Sequence, residues 1–120
     1  MSHIDITQAE RDASYARDNY ICAYCGIRVT PGLHTGHHDA ATLDHIVTRH
    51  AGGADVVTNL VTACASCNSS RGKTPLQRWY RKLAAQGIDI SAVRARVARR
   101  HRGIQRLTRR IQKLLALDAA

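Results

Sequence analysis

The sequence predicts a small α+β protein: a short β-ribbon and a short helix tied together by cysteines, flanked by further helices, with a strongly basic helix at the C-terminal end. Three observations predict it. Four cysteines fall in two C-x2-C pairs, Cys22-Ala-Tyr-Cys25 and Cys64-Ala-Ser-Cys67, thirty-eight residues apart. Two β-prone stretches, residues 42–47 and 59–63, lie between the pairs and are joined by a loop carrying Gly52-Gly53. Apolar residues recur at helical spacing on both sides of this block.

Taken in order, Thr7-Gln-Ala-Glu10 reads as a capping box, so a first helix is expected from Gln8 to Asp18. Tyr20 to Val29 reads as a short hairpin around the first cysteine pair. Pro31 and Gly32 open a loop holding His34, His37 and His38. After the two β-prone stretches, a short helix is expected from Ser66 to Arg71, stopped by Gly72. Thr74-Pro75 reads as an N-cap with proline at the first helical position. Leu76, Trp79, Tyr80 and Leu83 then share a core-facing stripe, and Gly87 ends that helix. Ser91 is expected to cap a long last helix whose Val93, Val97, Ile104, Leu107, Ile111, Leu114 and Leu115 fall near one face, with Gly103 interrupting it. The expected division is residues 1–19, a leading helix; 20–75, the cysteine-bearing core; and 76–120, a basic helical extension.

At 120 residues, with five aromatic side chains and no Phe, the core rests on Leu, Ile, Val and Ala, and so thin a core benefits from a metal staple. The polar start lacks the basic and apolar regions of a secretory signal, and no stretch is long enough to span a bilayer. An intracellular, reducing location follows as the expectation, where paired Cys-x-x-Cys motifs mean metal or redox chemistry more often than structural disulfides. The net charge of +9 is uneven: residues 1–70 carry four arginines against seven acids, net −3, whereas residues 71–120 are net +12. Such asymmetry points to a polyanionic partner.

Each C-x2-C pair presents two sulfurs to one ion, so Cys22, Cys25, Cys64 and Cys67 suit a tetrahedral zinc. Four thiolates leave no open coordination position, which makes that zinc structural. A redox dithiol is the rival, but it needs a single Cys-x-x-Cys within a βαβ pattern that is missing here.

Between and just beyond the cysteine pairs stand Asp44-His45, Asn59 and Asn68, followed by Arg71-Gly72-Lys73. With the glycine pair Gly52-Gly53, their order and spacing resemble the HNH nuclease family in its cysteine-rich form, over residues 20–75. The third signature position is Asn68, where many members have His. The resemblance implies a ββα-metal fold, a two-stranded ribbon and a helix clamping a catalytic metal. It also implies His45 as general base, Asp44 and Asn68 as ligands of one Mg²⁺ or Mn²⁺ ion, and Asn59 as the residue that bonds across the ribbon loop and holds His45. Hydrolysis of DNA phosphodiesters to a 5′-phosphate and a 3′-hydroxyl follows from the same likeness. Histidine suits the base role, since its ordinary pKa lies near neutrality. Adjacent strand residues face opposite ways, so Asp44 and His45 can share a site only if the ribbon is strongly twisted or bulged there.

DNA backbone contacts are expected from Arg49, Arg71 and Lys73 beside the site. Further contacts are expected from Arg94, Arg99, Arg102, Arg106, Arg109 and Arg110 on the last helix. Trp79 and Tyr80 read as core. Two alternatives stand beside the nuclease: a zinc-stabilised DNA-binding module whose catalytic residues are idle, and an accessory subunit of a larger complex. Small members of the family resemble phage packaging nucleases that work beside a terminase, and the apolar stripe from Val93 to Leu115 could dock such a partner.

Overall fold

The computed structural model of the protein describes residues 6–98 and 113–117. The chain opens with α1 (Gln8–Arg17), whose N-terminus is closed as expected. The Thr7 hydroxyl accepts from the Glu10 amide, and the Glu10 carboxylate accepts from the Thr7 amide, both at 3.1 Å. The chain leaves α1 through Asn19 and Tyr20, both at positive φ. It then reverses over the first cysteine pair, where Cys22 N donates to Ile27 O at 2.8 Å and Val29 N to Tyr20 O at 2.8 Å. This is the expected hairpin, reduced to a single bridge between Ile21 and Arg28.

Two strands follow, β1 (Ala41–His45) and β2 (Leu60–Cys64), paired antiparallel from Ala41↔Cys64 to His45↔Leu60. The strand β2 is buried along its whole length. It runs directly into α2 (Ala65–Arg71), where the Cys64 sulfur accepts from Cys67 N at 3.3 Å and so caps the helix. Gly72 ends α2 at φ +51. Next comes α3 (Leu76–Ala85), in which Pro75 is the cap residue with extended ψ. The helix thus begins one residue later than Thr74-Pro75 suggested. Helical backbone resumes over residues 90–98. Its cap is Asp89, not Ser91: the carboxylate accepts from Ser91 N at 3.0 Å and Ala92 N at 3.4 Å, satisfying amides that the start of a helix leaves without partners.

The core lies between the ribbon and the helical segments C-terminal to it. Val61 and Ala63 of β2 meet Trp79, Tyr80 and Leu83 of α3 and Val93 and Val97 of the following helix. Trp79 stands edge-on to Tyr24, ring centroids 5.6 Å apart. On the other flank α1 is bound to β2 by a buried acid: Asp18 accepts from the Thr62 hydroxyl at 2.6 Å and from Thr62 N at 3.0 Å. The apolar stripe expected on the last helix is realised at Val93 and Val97, whereas Leu114 and Leu115 are exposed. Ile104, Leu107, Ile111 and Gly103 lie outside the described residues. Among the described residues no helix is long and apolar enough to cross a membrane.

Candidate active site

The hairpin brings Cys22 and Cys25 beside Cys64 and Cys67 at the junction of β2 and α2. Their four sulfurs lie within 4.8 Å of one another, and none is in a disulfide. Cys25 Sγ and Cys64 Sγ are 3.8 Å apart. Four sulfurs about 2.3 Å from a tetrahedral zinc stand about 3.8 Å from each other, so the spacing fits the ion. Cys22 Sγ also accepts from Tyr24 N at 3.4 Å, and Cys64 Sγ from Cys67 N, bonds that favour thiolate charge. The sulfurs compete for ionisation: contact with Cys25 holds Cys22 low, while contact with Cys22 pushes Cys64 and Cys67 up. A bound cation removes that conflict, and the cluster could hold one.

Asp44, His45 and Asn68 line one open cleft of about 460 Å³, with Arg49, His50 and Lys73 also on its walls. The pairing of β1 with β2 runs through Asp44↔Val61 and His45↔Leu60 without a bulge. His45 instead closes β1. Beyond it Ile46 N donates to Asn59 O at 2.7 Å and the chain turns into the loop, so the two side chains meet the same cleft at the ribbon's end.

His45 Nε2 lies 2.6 Å from Asp55 Oδ1, which also accepts from Arg49 Nε at 2.8 Å. Arg49 first, then His45, holds the Asp55 carboxyl at about 2. A carboxylate in that state only accepts, so the Nε2 of His45 carries a proton. Asn68 is oriented by two acceptors. Its Nδ2 donates to Thr42 Oγ1 at 2.9 Å and to Leu43 O at 3.4 Å, while the Thr42 hydroxyl gives its one proton to Ala63 O. The amide nitrogen is thereby assigned to the ribbon, which leaves Oδ1 for the cleft.

Asn59 bridges the loop. Its Oδ1 accepts from Val47 N at 2.9 Å, and its Nδ2 donates to Val47 O at 3.0 Å and Ala54 O at 2.9 Å. Gly53 permits this, because a Cβ there would stand 1.8 Å from Val47 O. The loop backbone packs against itself too closely for any side chain.

Residues 22–74 match the family model described as HNH endonuclease. Residues 22–74 are an HNH endonuclease domain. Within it, β1, β2 and α2 supply the ribbon and helix of an HNH core. The chain is 35% identical over 81 residues to the CRISPR-associated endonuclease Cas9 of Corynebacterium diphtheriae, a match covering 67% of this chain and 7% of that relative. It is also 35% identical over 77 residues to the CRISPR-associated endonuclease Cas9 of Actinomyces naeslundii, covering 63% of this chain and 6% of that relative. The chain thus spans less than a tenth of the length of either relative.

One expected phosphate contact is corrected. Arg71 is 1% exposed. Its guanidinium donates to Asp44 Oδ2 at 2.6 Å, to His45 O at 2.5 Å, to Ile46 O at 2.7 Å and to Thr74 O at 3.0 Å. A guanidinium so enclosed is an internal counter-ion. Arg49 and Lys73 remain exposed on the cleft. Arg94 is exposed, with its guanidinium 5.4 Å above the Tyr80 ring. Arg99, Arg102, Arg106, Arg109 and Arg110 lie outside the described residues. His34, His37 and His38 stand exposed in their loop and do not line the cleft. Three residues of the site carried no expectation from the sequence. Thr42 and Tyr24 gave no signal, since their partners lie 20 or more residues away. Asp55 could have been found, because it is the only acid between His45 and Asn59.

Proposed function

We propose that this HNH domain is a metal-dependent DNA endonuclease, with His45 as general base, Asp44 and Asn68 as holders of a single Mg²⁺ or Mn²⁺ ion, and a zinc ion in the four-cysteine cluster as a structural staple. The observation that carries the reading is the convergence of Asp44, His45 and Asn68 on one cleft walled by Arg49 and Lys73. Asp44 and Asn68 offer oxygen donors, which suit hard cations. Bound there, such a cation neutralises charge that develops on the phosphate and its leaving oxygen.

The chain's own residues do the rest. Asp55 fixes the His45 tautomer, so Nδ1 takes the proton of the attacking water. Asn59 holds the loop that carries Asp55 and so keeps His45 aimed. Arg49 and Lys73 draw the DNA backbone into the cleft and fix its register, reading phosphates more than bases. The cysteine staple keeps the start of α2, and therefore Asn68, against the ribbon. By family likeness the products are a 5′-phosphate and a 3′-hydroxyl.

The test is cleavage of supercoiled plasmid by the full chain across a series of divalent metals. Nicked or linear product with Mg²⁺ or Mn²⁺, absent in chelator, is the expected result. DNA retention without cleavage under every metal would instead favour a binding module.

A further inference from the structure

We propose that Tyr24 and Arg71 are positioning residues that present Asp44 to its cation, and that through Tyr24 the cysteine knuckle sets the geometry of the cleft. The inference rests on the reading of Asp44 as a metal ligand. A carboxylate can exchange its two oxygens by rotation. Here the Tyr24 hydroxyl and Arg71 Nη1 both end on Oδ2 of Asp44. That oxygen is engaged within the protein, which leaves Oδ1 as the one for the cleft.

The direction of each bond is defined. The Tyr24 hydroxyl donates to Asp44 Oδ2. Its oxygen in turn accepts from Arg71 Nη1 at 3.1 Å. Arg71 is itself immobilised by three carbonyls, those of His45 and Ile46 at the exit of β1 and of Thr74 beyond α2. The clamp therefore fixes the carboxylate relative to both elements that supply the site.

Tyr24 also belongs to the knuckle. It lies between Cys22 and Cys25, its amide donates to Cys22 Sγ at 3.4 Å, and its ring is edge-on to Trp79. A shift of the sulfur cluster would move the phenol, and the phenol would move Asp44. Outer partners of this kind orient ligating carboxylates in metal sites generally, and losing one typically weakens metal binding by 10- to 100-fold.

The experiment uses the full chain loaded with zinc. Mn²⁺ affinity is measured by electron paramagnetic resonance of the free ion for the parent, Tyr24→Phe, Asp44→Asn and the control Tyr80→Phe. Zinc content and circular dichroism are recorded alongside. Tyr24→Phe should keep its zinc and fold, bind Mn²⁺ roughly tenfold more weakly, and reach near-parental cleavage once metal is raised. Tyr80→Phe should match the parent. Should Tyr24→Phe not fold, Arg71→Lys, which keeps the charge but loses the fork, is read by the same metal titration and should be weakened likewise. Parental Mn²⁺ affinity in the folded clamp variant, with binding abolished in Asp44→Asn, would overturn this inference alone. Binding that survives Asp44→Asn would overturn the assignment of Asp44 as ligand, and the inference with it.

Discussion

His45 and Asp55 form the working pair at the scale of single residues. In the proposed mechanism, replacing His45 with Ala removes the acceptor of the water proton, and cleavage should fall at least about a hundredfold. Zinc content and circular dichroism should not change, since His45 is neither a cysteine ligand nor a core residue. Parental cleavage by folded His45→Ala would refute the mechanism. Asp55 has a separate signature in acid. Its carboxyl is held at about 2 by Arg49 and then His45, below the ordinary 3.8. A group depressed in the folded state stabilises the fold above about pH 4, and that contribution is lost as pH falls through about 2. Asp55→Asn lacks it, so the variant should lose less stability between pH 4 and 2 than the parent does, measured by denaturant unfolding at each pH. The effect is small, since the pair stands at the edge of solvent. At this scale the sequence was most legible where the chemistry is carried by residue type. Cysteine spacing and Asp44-His45 were readable, but the burial of Arg71 was not, because a basic residue beside a phosphate site looks the same whether it faces solvent or an internal carboxylate.

Among the elements, the loop between β1 and β2 decides whether the ribbon's end is in order. Gly53→Ala places a methyl group 1.8 Å from Val47 O and 2.9 Å from Asn59 Nδ2. The backbone must move, at a cost of roughly 2 kcal/mol or more, and melting should fall by several degrees. Asn59→Ala removes three hydrogen bonds without a clash, so it should slow cleavage through a misplaced His45 while leaving the metal requirement and zinc content as they were. An unaltered rate in Asn59→Ala would show that the loop holds its shape by other means. The order of strands and helices was legible from periodicity and punctuation. The starts of α3 and of the helix over 90–98 were each misplaced, because Thr-Pro and Asp-x-Ser both offer two neighbouring cap residues and only packing chooses between them. Of the twist or bulge expected at Asp44-His45, the bulge is absent, and His45 is instead the last residue of β1, where the chain turns into the loop.

The whole molecule is divided by charge, and the division does not coincide with the packing. Val93 and Val97 are buried in the core, so the basic segment cannot be removed from Ser91 onward without opening it. A cut after residue 98 keeps both valines. The truncated chain should fold and retain its zinc, yet bind DNA more weakly, with a salt dependence flatter by about one unit for each phosphate it no longer neutralises. Filter binding or anisotropy across a salt series checks this, and equal slopes would assign the tail another role. Charge asymmetry was fully legible in the sequence. How far the helix that begins at residue 90 belongs to the core was not, since Val93 and Val97 continue in the same apolar register as residues beyond them.

The chain has one tryptophan, and the fold places it as an optical gauge of its own staple. Trp79 is 2% exposed and its ring nitrogen has no hydrogen-bond partner among the described residues. It stands edge-on to the tyrosine between the first two cysteines. An indole in such dry surroundings emits towards the blue. Stripping the proposed zinc from the sulfurs should loosen Tyr24, let water reach the ring and carry the emission to the red. A fluorimeter and a chelator would thus follow the integrity of the knuckle in real time, with no label and no DNA present.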